Sequence, residues 1–472
     1  MNDCPYLLIY SFSPLLIKNL LDIISMRQIL LLLSILLLLG QATAQEPLSL
    51  DRAIEIGIAN NYQLKITKDQ LQVAANNNTW SAAGRGPQVD ASINLQNGYL
   101  NSRAAGFLRQ QSTFNTGITP AIDGTWVIYD GNRAKVNKRQ LEELELQGRR
   151  DVEITIENTV QSIILAYYQV LIQEELLSTL QEVLDLSRDR INYQEVRKEF
   201  GQAGTFDILQ TTDAYLNDST NILIQQNNIE TAQRNLNLVM GETEVLKSYQ
   251  LTDILEFQPI NFELPNLEEM MFANNKALLD LIGLQEIAAL NTRLQETSKR
   301  PNISLAGGLS YNLSGSTGDG ILNAGGMESP IDLSGSTKAF NFYLGAIASY
   351  NLYDGGNRNR TIENAQVEEL IAKSRLDDLK RNLSSQLQTT LANYRNQVRL
   401  VQLTEVLIEN ARKSLTIGQE RFDSGQISSF DYRAIQLAFV NATQARLNAI
   451  FNLKNTETSI LQLTGQLVKE TE

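Results

Sequence analysis

The chain has 472 residues, and its 53 Asp and Glu against 40 Lys and Arg give a formal net charge of −13 at pH 7. An acidic chain without long basic runs is a poor candidate for nucleic-acid binding. It has no histidine and one cysteine, Cys4, which argues against a zinc or thiolate site and against most acid–base enzymes. We therefore expect no cofactor, no metal and no enzymatic activity.

Residues 1–44 have the pattern of an export signal that is removed. A basic start follows Met26, an apolar run of about eleven residues covers Ile29–Leu39, and small residues precede a cleavage site between Ala44 and Gln45. The apolar run is shorter than the ~20 residues of a membrane-spanning helix. We therefore predict that translation starts at Met26 and that the exported chain begins at Gln45, without disulfides.

A first structural repeat is predicted for 45–241, and it begins with a helix over 48–83. The apolar residues then recur with a period of two over 88–128, which predicts a β-hairpin with one apolar and one polar face. Pro120 interrupts the second strand of this hairpin, so we predict a bend or a bulge at that residue.

A long helical hairpin is predicted for 131–241. Its first helix runs without proline to about Phe200, which at ~1.5 Å per residue is about 100 Å, several times the width of an ordinary domain. Gly201 and Gly204 end that helix, and the returning helix ends at Gly241. A hairpin of this length indicates that the chain spans a distance.

The second half of the chain repeats this order after an irregular connector. The predicted segments are 242–265 for the connector, 266–465 for the second repeat, 302–352 for its β-hairpin, 355–465 for its long helical hairpin and 466–472 for a C-terminal tail. A helix over about 267–299 opens the repeat, and a loop rich in Gly and Ser is predicted for 314–337. This loop accounts for the greater length of the second β-hairpin.

The two halves are copies of one design. The tripeptide Tyr-Asp-Gly at 129–131 recurs at 353–355, 224 positions later, and both long helices have an apolar residue at every seventh position. Such a shared heptad register indicates a duplicated helical hairpin. The heptad residues are Ile156, Ile163, Val170, Leu177, Leu184 and Ile191 in the first copy, and Leu387, Tyr394, Val401, Ile408, Leu415 and Phe422 in the second.

The four predicted strands are each about ten residues long, the length that a tilted strand needs to cross a bilayer. Four strands cannot close on their own, and open edges are not tolerated in lipid, so the barrel has to be shared between subunits. Two chains would give eight strands around an interior filled by side chains, and three would give twelve around a lumen. We therefore favour a homotrimer whose helices form a tube over a solid coiled coil.

These motifs, in this order and duplicated, resemble the TolC family of outer-membrane efflux proteins. The match covers nearly all of the chain after the signal. It includes the helix start at 48–61, both Tyr-Asp-Gly motifs, and a glycine followed six residues later by aspartate in each half. The resemblance implies a mainly α fold with a membrane β-barrel part. Long antiparallel helical hairpins would form a periplasmic α-barrel, and four strands per chain would contribute to a trimeric twelve-stranded β-barrel.

The resemblance also implies a role and partners. The chain would be a passive export duct in the outer membrane of a Gram-negative cell, in contact with outer-membrane lipid and extending into the periplasm. A periplasmic adaptor (membrane fusion) protein and an inner-membrane pump would deliver the cargo.

In that family the tube is gated at its periplasmic tip. Asp207 and Asp431 match the tip aspartates, whereas Phe422 and Ile427 replace the tyrosine and arginine that tie neighbouring hairpins together, and Ala434 replaces a further aspartate. We therefore predict that apolar contact between Phe422 and Ile427 holds the gate. The residues of the tip turns that are expected to dock to the adaptor are Gly201, Gln202, Gly204, Gly425 and Gln426.

Other interpretations remain open at this point. Asp207 and Asp431 each lie near a helix start, where a carboxylate contributes ~0.3–1 kcal/mol by capping the helix whether or not it faces a pore. The heptads also fit a trimeric coiled-coil structural protein or adhesin of the cell surface, and carboxylates alone could serve a periplasmic enzyme.

Overall fold

The computed structural model describes residues 46–101 and 108–468. The predicted signal region 1–44, its cleavage site at Ala44 and Gln45, and residues 469–472 of the predicted tail lie outside the described residues.

Long helices dominate the described chain, and strands lie between them. In chain order the elements are β1 (Glu46–Leu48), α1 (Leu50–Asn60), α2 (Tyr62–Asn77), β2 (Gln88–Asn101), β3 (Leu108–Tyr129), α3 (Arg133–Glu199), α4 (Thr205–Met240), β4 (Tyr249–Leu251), α5 (Leu264–Asn274), α6 (Lys276–Glu296), a 3₁₀ turn (Thr297–Lys299), β5 (Asn302–Ala324), β6 (Met327–Asp332), β7 (Gly335–Ser349), α7 (Asn357–Asp423) and α8 (Ser429–Leu463). This order confirms the predicted fold class, mainly α with strands. No helix in the described part of the chain is both long and apolar enough to cross a membrane.

The described chain divides into two compact units. In the smaller one, strands β1 and β4 pair in parallel, with Pro47 opposite Gln250. The Lys247 ammonium lies 2.8 Å from the Glu46 carboxylate, and the Thr252 amide donates a 3.2 Å hydrogen bond to the Leu48 carbonyl. The rest of the described chain, from Leu50 to Leu246 and from Ile254 onward, forms the larger unit.

Two helical hairpins, α3–α4 and α7–α8, form most of the larger unit. Helices α3 and α7 have 67 residues each, which at ~1.5 Å per residue makes both about 100 Å long. Predicted heptad residues are buried in both, for example Val170 in α3 and Val401 in α7. Each copy therefore uses the same apolar repeat to join its long helix to the neighbouring helices.

The single helices predicted over 48–83 and 267–299 are wrong, because an asparagine divides each of them in two. The Asn61 side chain accepts a hydrogen bond from the Leu64 amide (3.1 Å) and donates one to the Val239 carbonyl (3.0 Å). Asn275 makes the equivalent bonds to the Leu278 amide (2.9 Å) and the Leu463 carbonyl (3.0 Å).

Each of these asparagines therefore caps the second helix of a pair and binds the end of the returning helix, α4 or α8. This supplies a partner for a carbonyl that a helix terminus would otherwise leave unpaired. The first helix pair also ends earlier than predicted, at Asn77, and turns follow from there to Gly84.

The ends of the returning helices depend on glycine. Gly465 has φ +66°, and a Cβ added there would lie 2.6 Å from the Asn274 carbonyl oxygen at the helix break. Gly425, in the turn between α7 and α8, has φ +76° but open space around it. Both positions disfavour an L side chain because of the left-handed backbone, and only Gly465 adds a backbone clash.

We expect Gly465→Ala to destabilise the protein more than Gly425→Ala. The left-handed backbone costs about 1–2 kcal/mol at either position, and only in Gly465→Ala must the helix end also move away from Asn274. The measurement is the temperature at which each purified variant loses its helical circular dichroism. Equal shifts for the two variants would contradict the steric role of Gly465.

The sheet of the larger unit is antiparallel throughout, in the order β2-β3-β5-β7. Strand β5 pairs along one edge with β3. Along its other edge it pairs first with β7 and then, from Asp319 to Ala324, with β6. The loop predicted for 314–337 is therefore wrong. Most of that segment continues β5, turns at Gly325 and Gly326, where φ is positive, and returns as β6.

Pro120 does not produce the predicted bulge. It lies opposite Ile93 in the ladder between β2 and β3, and the pairing of β3 with β5 keeps one register from Ile118 to Ala121. That ladder shifts register instead between Gln110 and Ser112 and between Val127 and Tyr129. The pairs of Thr119 and Pro120 are missing from that ladder, as expected where proline lacks an N–H, and the register is the same on both sides of the gap.

One face of the sheet is apolar and exposed, as the period of two predicts. Residues directly opposite each other share a face, and Ile122 lies opposite Leu309, which in turn lies opposite Phe342. All three side chains are exposed. On the other face the Tyr343 hydroxyl donates a 2.9 Å hydrogen bond to Asp123. The sheet thus has a polar side and an uncovered apolar side within one chain.

Candidate functional site

The two hairpin turns lie at the ends of the long helices, and each begins with a glycine in the left-handed conformation. Gly201 follows α3 with φ +72°, and Gly425 follows α7 with φ +76°. The Gly201 amide donates a hydrogen bond to the Lys198 carbonyl and the Gly425 amide donates one to the Phe422 carbonyl, at 2.9 Å each. These bonds end the two long helices. These turns place the predicted tip residues at the same end of both hairpins.

The tip aspartates cap the returning helices. Asp207 accepts a 2.8 Å hydrogen bond from the Gly204 amide. Asp431 accepts bonds from the Ser428 hydroxyl (2.7 Å) and amide (3.3 Å), and the Asp431 amide donates to the Ser428 hydroxyl oxygen (3.2 Å). The second cap is reciprocal, whereas glycine at 204 has no side chain to complete the first. A pore-facing role for both carboxylates stays a prediction.

Phe422 and Ile427 lie in one apolar tip cluster. The Phe422 ring is 3% exposed, stacks on the Tyr432 ring at 5.0 Å and contacts the Tyr193 ring at 4.8 Å. Ile427 is half-buried against the same cluster. Because Tyr193 belongs to α3, Phe422 joins the second hairpin to the first. The buried members of the cluster are Val183, Leu415, Phe422, Tyr432 and Phe439.

The second turn is set back from the first along the helices. Phe422 lies one residue before Asp423, the last residue of α7, whereas Tyr193, which it contacts, lies six residues before Glu199, the last residue of α3. At ~1.5 Å per residue the difference is roughly 8 Å. The Phe200 and Phe206 rings, which flank the first turn, are exposed.

A buried polar cluster, which we call the polar clamp, joins the hairpins further along the helices. The Arg433 guanidinium of α8 donates two hydrogen bonds to the Asp218 carboxylate of α4, at 2.6 and 2.7 Å. The Ser187 hydroxyl of α3 donates a third, at 2.7 Å. Arg190 of α3 donates to the Gln436 amide oxygen of α8, at 3.2 Å. Bidentate guanidinium–carboxylate pairs are among the strongest polar contacts in proteins.

The polar clamp holds more positive than negative charge. Arg190 is 2% exposed, and burial, together with the like charge of Arg433, lowers the pKa of its guanidinium to about 10. Asp218 is the carboxylate that offsets both cations. Arg190 Nε and Gln436 Nε2 are buried and have no hydrogen-bond partner in the part of the chain that the structure describes. Removing the carboxylate from such a cluster strongly destabilises the folded protein, because it leaves buried positive charge without a partner.

The structure brings some predicted site residues together and adds others. Phe422 and Ile427 share the apolar tip cluster, while Asp207 and Asp431 lie in separate helix caps. The polar clamp is absent from the sequence prediction. Its only sequence signal is a set of polar residues at seven-residue spacing on α4, buried in the structure: Thr211, Asp218 and Gln225.

Comparison with known proteins agrees with this architecture. The family model described as outer membrane efflux protein matches residues 270–466. Outer membrane protein TolC of Escherichia coli (strain K12) is 20% identical over 324 residues, which are 67% of this chain and 64% of TolC. Toxin and drug export protein A of Aggregatibacter actinomycetemcomitans is 26% identical over 161 residues, 34% of this chain and 35% of that protein. The chain thus matches less than two thirds of the length of either relative.

The fold has solved counterparts. The Campylobacter jejuni CmeC outer membrane channel superposes with a TM-score of 0.70 at 14% identity, covering 90% of this chain and 87% of that one. At this identity the likeness speaks for the fold, whereas the family-model match rests on sequence. Taken with the duplicated hairpins and the sheet, these findings confirm the resemblance of this chain to the TolC family of outer-membrane efflux proteins.

Proposed function

We propose that three copies of this chain form a passive export duct that crosses the outer membrane and reaches through the periplasm of a Gram-negative cell. An inner-membrane pump and a periplasmic adaptor would supply the energy and the cargo, and the duct itself would carry out no chemistry. The hairpin tips would be its gate. The observation that carries this proposal is the sheet at one end of the long hairpins, because both of its edges lack a partner strand among the described residues.

The strand order supports assembly from several copies. Among the described residues, β2 pairs only with β3, and β7 only with β5. The order β2-β3-β5-β7 alternates in direction, so β7 of one copy can pair antiparallel with β2 of the next. Exposed edges invite such pairing. Three copies would contribute twelve strands, enough for a lumen, and the apolar face of the sheet would then contact lipid.

The test uses the full chain with its signal. We expect it in the outer-membrane fraction, as a trimer in detergent that dissociates on heating, and we expect single-channel conductance after insertion into planar bilayers. Recovery as a soluble periplasmic monomer without conductance would refute the proposal. Its inner-membrane and adaptor partners are tested separately, by crosslinking through cysteines placed at Gln202 and Gln426.

Cation preference is a second expectation for this duct. Three copies of Asp207 and of Asp431 would place six carboxylates at the narrow end of the tube, where they raise the local concentration of cations. We expect reversal potentials in a KCl gradient to favour potassium over chloride, and the double variant Asp207→Asn with Asp431→Asn to weaken that preference. The control is Asp377→Asn with Asp378→Asn, which removes two charges from the first third of α7, far from the tip. Equal effects of both pairs would assign the preference to overall charge.

A further inference from the structure

The charge of this acidic chain reverses where the sheet meets the helices. Six exposed cations there have no carboxylate within 4 Å among the described residues: Arg85, Arg133, Lys135, Lys299, Arg300 and Arg360. We call them the junction belt. The strands themselves contain only Arg109 and Lys338 as basic residues. A local excess of unpaired positive charge in a chain of net charge −13 indicates an anionic partner.

The segments that contain the junction belt are joined to one another. The Trp126 indole donates a 3.0 Å hydrogen bond to the Arg85 carbonyl. The Arg300 guanidinium of the second repeat donates one of 2.9 Å to the Gly131 carbonyl of the first. The Arg358 guanidinium donates a 3.2 Å hydrogen bond to the Ser298 carbonyl. These contacts join the segments of the junction belt to one another at the base of the sheet.

Aromatic side chains accompany the charges. The chain has two tryptophans, and both lie at this junction, where Trp80 is 45% and Trp126 is 47% exposed. The Arg85 guanidinium lies 4.9 Å from the centre of the Trp80 ring. A cleft of about 320 Å³ between the sheet and α3 is lined by Trp80, Arg85, Tyr129 and Lys135 among others. Amphipathic rings next to cations are typical of the boundary between acyl chains and headgroups.

We propose that the junction belt binds the headgroups of anionic phospholipids in the periplasmic leaflet of the outer membrane. The phosphate lies against Arg85 and Lys135 in the cleft, and the acyl chains follow the exposed apolar surface of Ile128. Asp130 also lines the cleft, but its carboxylate accepts a 2.7 Å hydrogen bond from the Ala134 amide as a helix cap. The inference rests on the proposal that the sheet lies in the outer membrane.

The location of both tryptophans makes fluorescence a specific probe of this surface. The purified full chain is reconstituted into phosphatidylcholine vesicles that contain, at equal mole fraction, brominated phosphatidylglycerol or brominated phosphatidylcholine. Bromine quenches an indole only in close contact. We expect the brominated phosphatidylglycerol to associate roughly fivefold more strongly, the effect of one basic side chain acting on an anionic headgroup. The variant Arg85→Gln with Lys135→Gln is expected to quench equally with both lipids.

Two further measurements make the outcome decisive. The control variant Lys373→Gln with Arg375→Gln removes two exposed cations from α7, away from the junction, and should keep the preference. Inorganic phosphate at matched ionic strength should leave the preference in place. If phosphate abolishes it, the cleft binds free phosphate instead of lipid. If the vesicles show conductance but both brominated lipids quench equally, the junction belt is not a site for anionic lipid. The proposal that the chain forms an export duct is then unaffected. If the chain fails to insert, the proposed function fails first.

Discussion

Asp218→Asn is expected to loosen the hairpin tips and to raise the conductance of the resting channel. Asp218 accepts three short hydrogen bonds, and it is the carboxylate that offsets the charges of the buried Arg190 and of Arg433, whose side chain is 17% exposed. Replacing it leaves two guanidinium groups without a counter-charge inside the larger unit. Loss of one member of a buried ion pair costs about 3–5 kcal/mol. Faster hydrogen exchange in peptides from α4 and α8, together with larger single-channel currents, would report both effects.

An exposed ion pair between the same hairpins provides the matched control. Arg412 lies 3.4 Å from Glu182, and both side chains are at least 40% exposed. Exposed pairs contribute about 0–1 kcal/mol, so Glu182→Gln should change neither exchange nor conductance. The double variant Asp218→Leu with Arg433→Met removes the charges of that ion pair and should recover part of the loss, because only Arg190 is then left without a counter-charge. If Glu182→Gln has the same effect as Asp218→Asn, the polar clamp has no special role.

The sequence contains enough to predict the duplicated hairpins, and the reason is periodic burial. Residues such as Val170 and Val401 are buried because a seven-residue repeat keeps one helix face toward its neighbours. The alternation in the strands likewise predicts the two faces of the sheet. Both patterns extend over many residues, so a single residue that departs from the pattern does not hide it.

Tertiary contacts explain what the sequence did not predict. Asn61 and Asn275 interrupt helical patterns because each side chain binds the end of a helix that lies far along the chain. The segment 314–337 has the Gly and Ser content of a loop, yet pairing with β3 and β6 extends β5 through much of it. The composition of this segment favours a loop locally, but pairing with neighbouring strands overrides that local preference.

In the candidate site, too, the features set by local sequence could be predicted, and those that depend on tertiary contacts could not. The left-handed glycines and the capping aspartates follow from short local motifs, and the structure contains both. The polar clamp could not be predicted, because Asp218 and Gln225 have the residue types of a solvated helix face. Their partners come from other helices: Arg433 of the second repeat and Ser187 of α3 donate to Asp218, and Gln173 of α3 accepts from Gln225. Sequence spacing can identify such a buried polar row as unusual, but it does not identify its contacts.

Phe422→Ala is expected to open the resting channel more than neutralisation of the tip aspartates does. Removing a buried phenylalanine ring costs about 3–5 kcal/mol through lost contacts and the cavity that remains. Here it would remove the stacking on Tyr432 and the contact with Tyr193, and with them the apolar link between the two hairpins. Single-channel recordings should show larger resting currents for Phe422→Ala than for the variant with Asp207→Asn and Asp431→Asn.

The variant Phe430→Ala, in the same tip, is the control that distinguishes the loss of an aromatic ring from the loss of buried packing. The Phe430 side chain is 68% exposed, against 3% for Phe422, so Phe430→Ala leaves no cavity and should leave the resting current unchanged. Phe422→Leu keeps much of the buried apolar volume and should give a current between those of the wild type and Phe422→Ala, because core replacements that conserve volume are tolerated best. If neutralising the aspartates opens the channel while Phe422→Ala does not, charge at the helix caps and not apolar contact holds the gate closed.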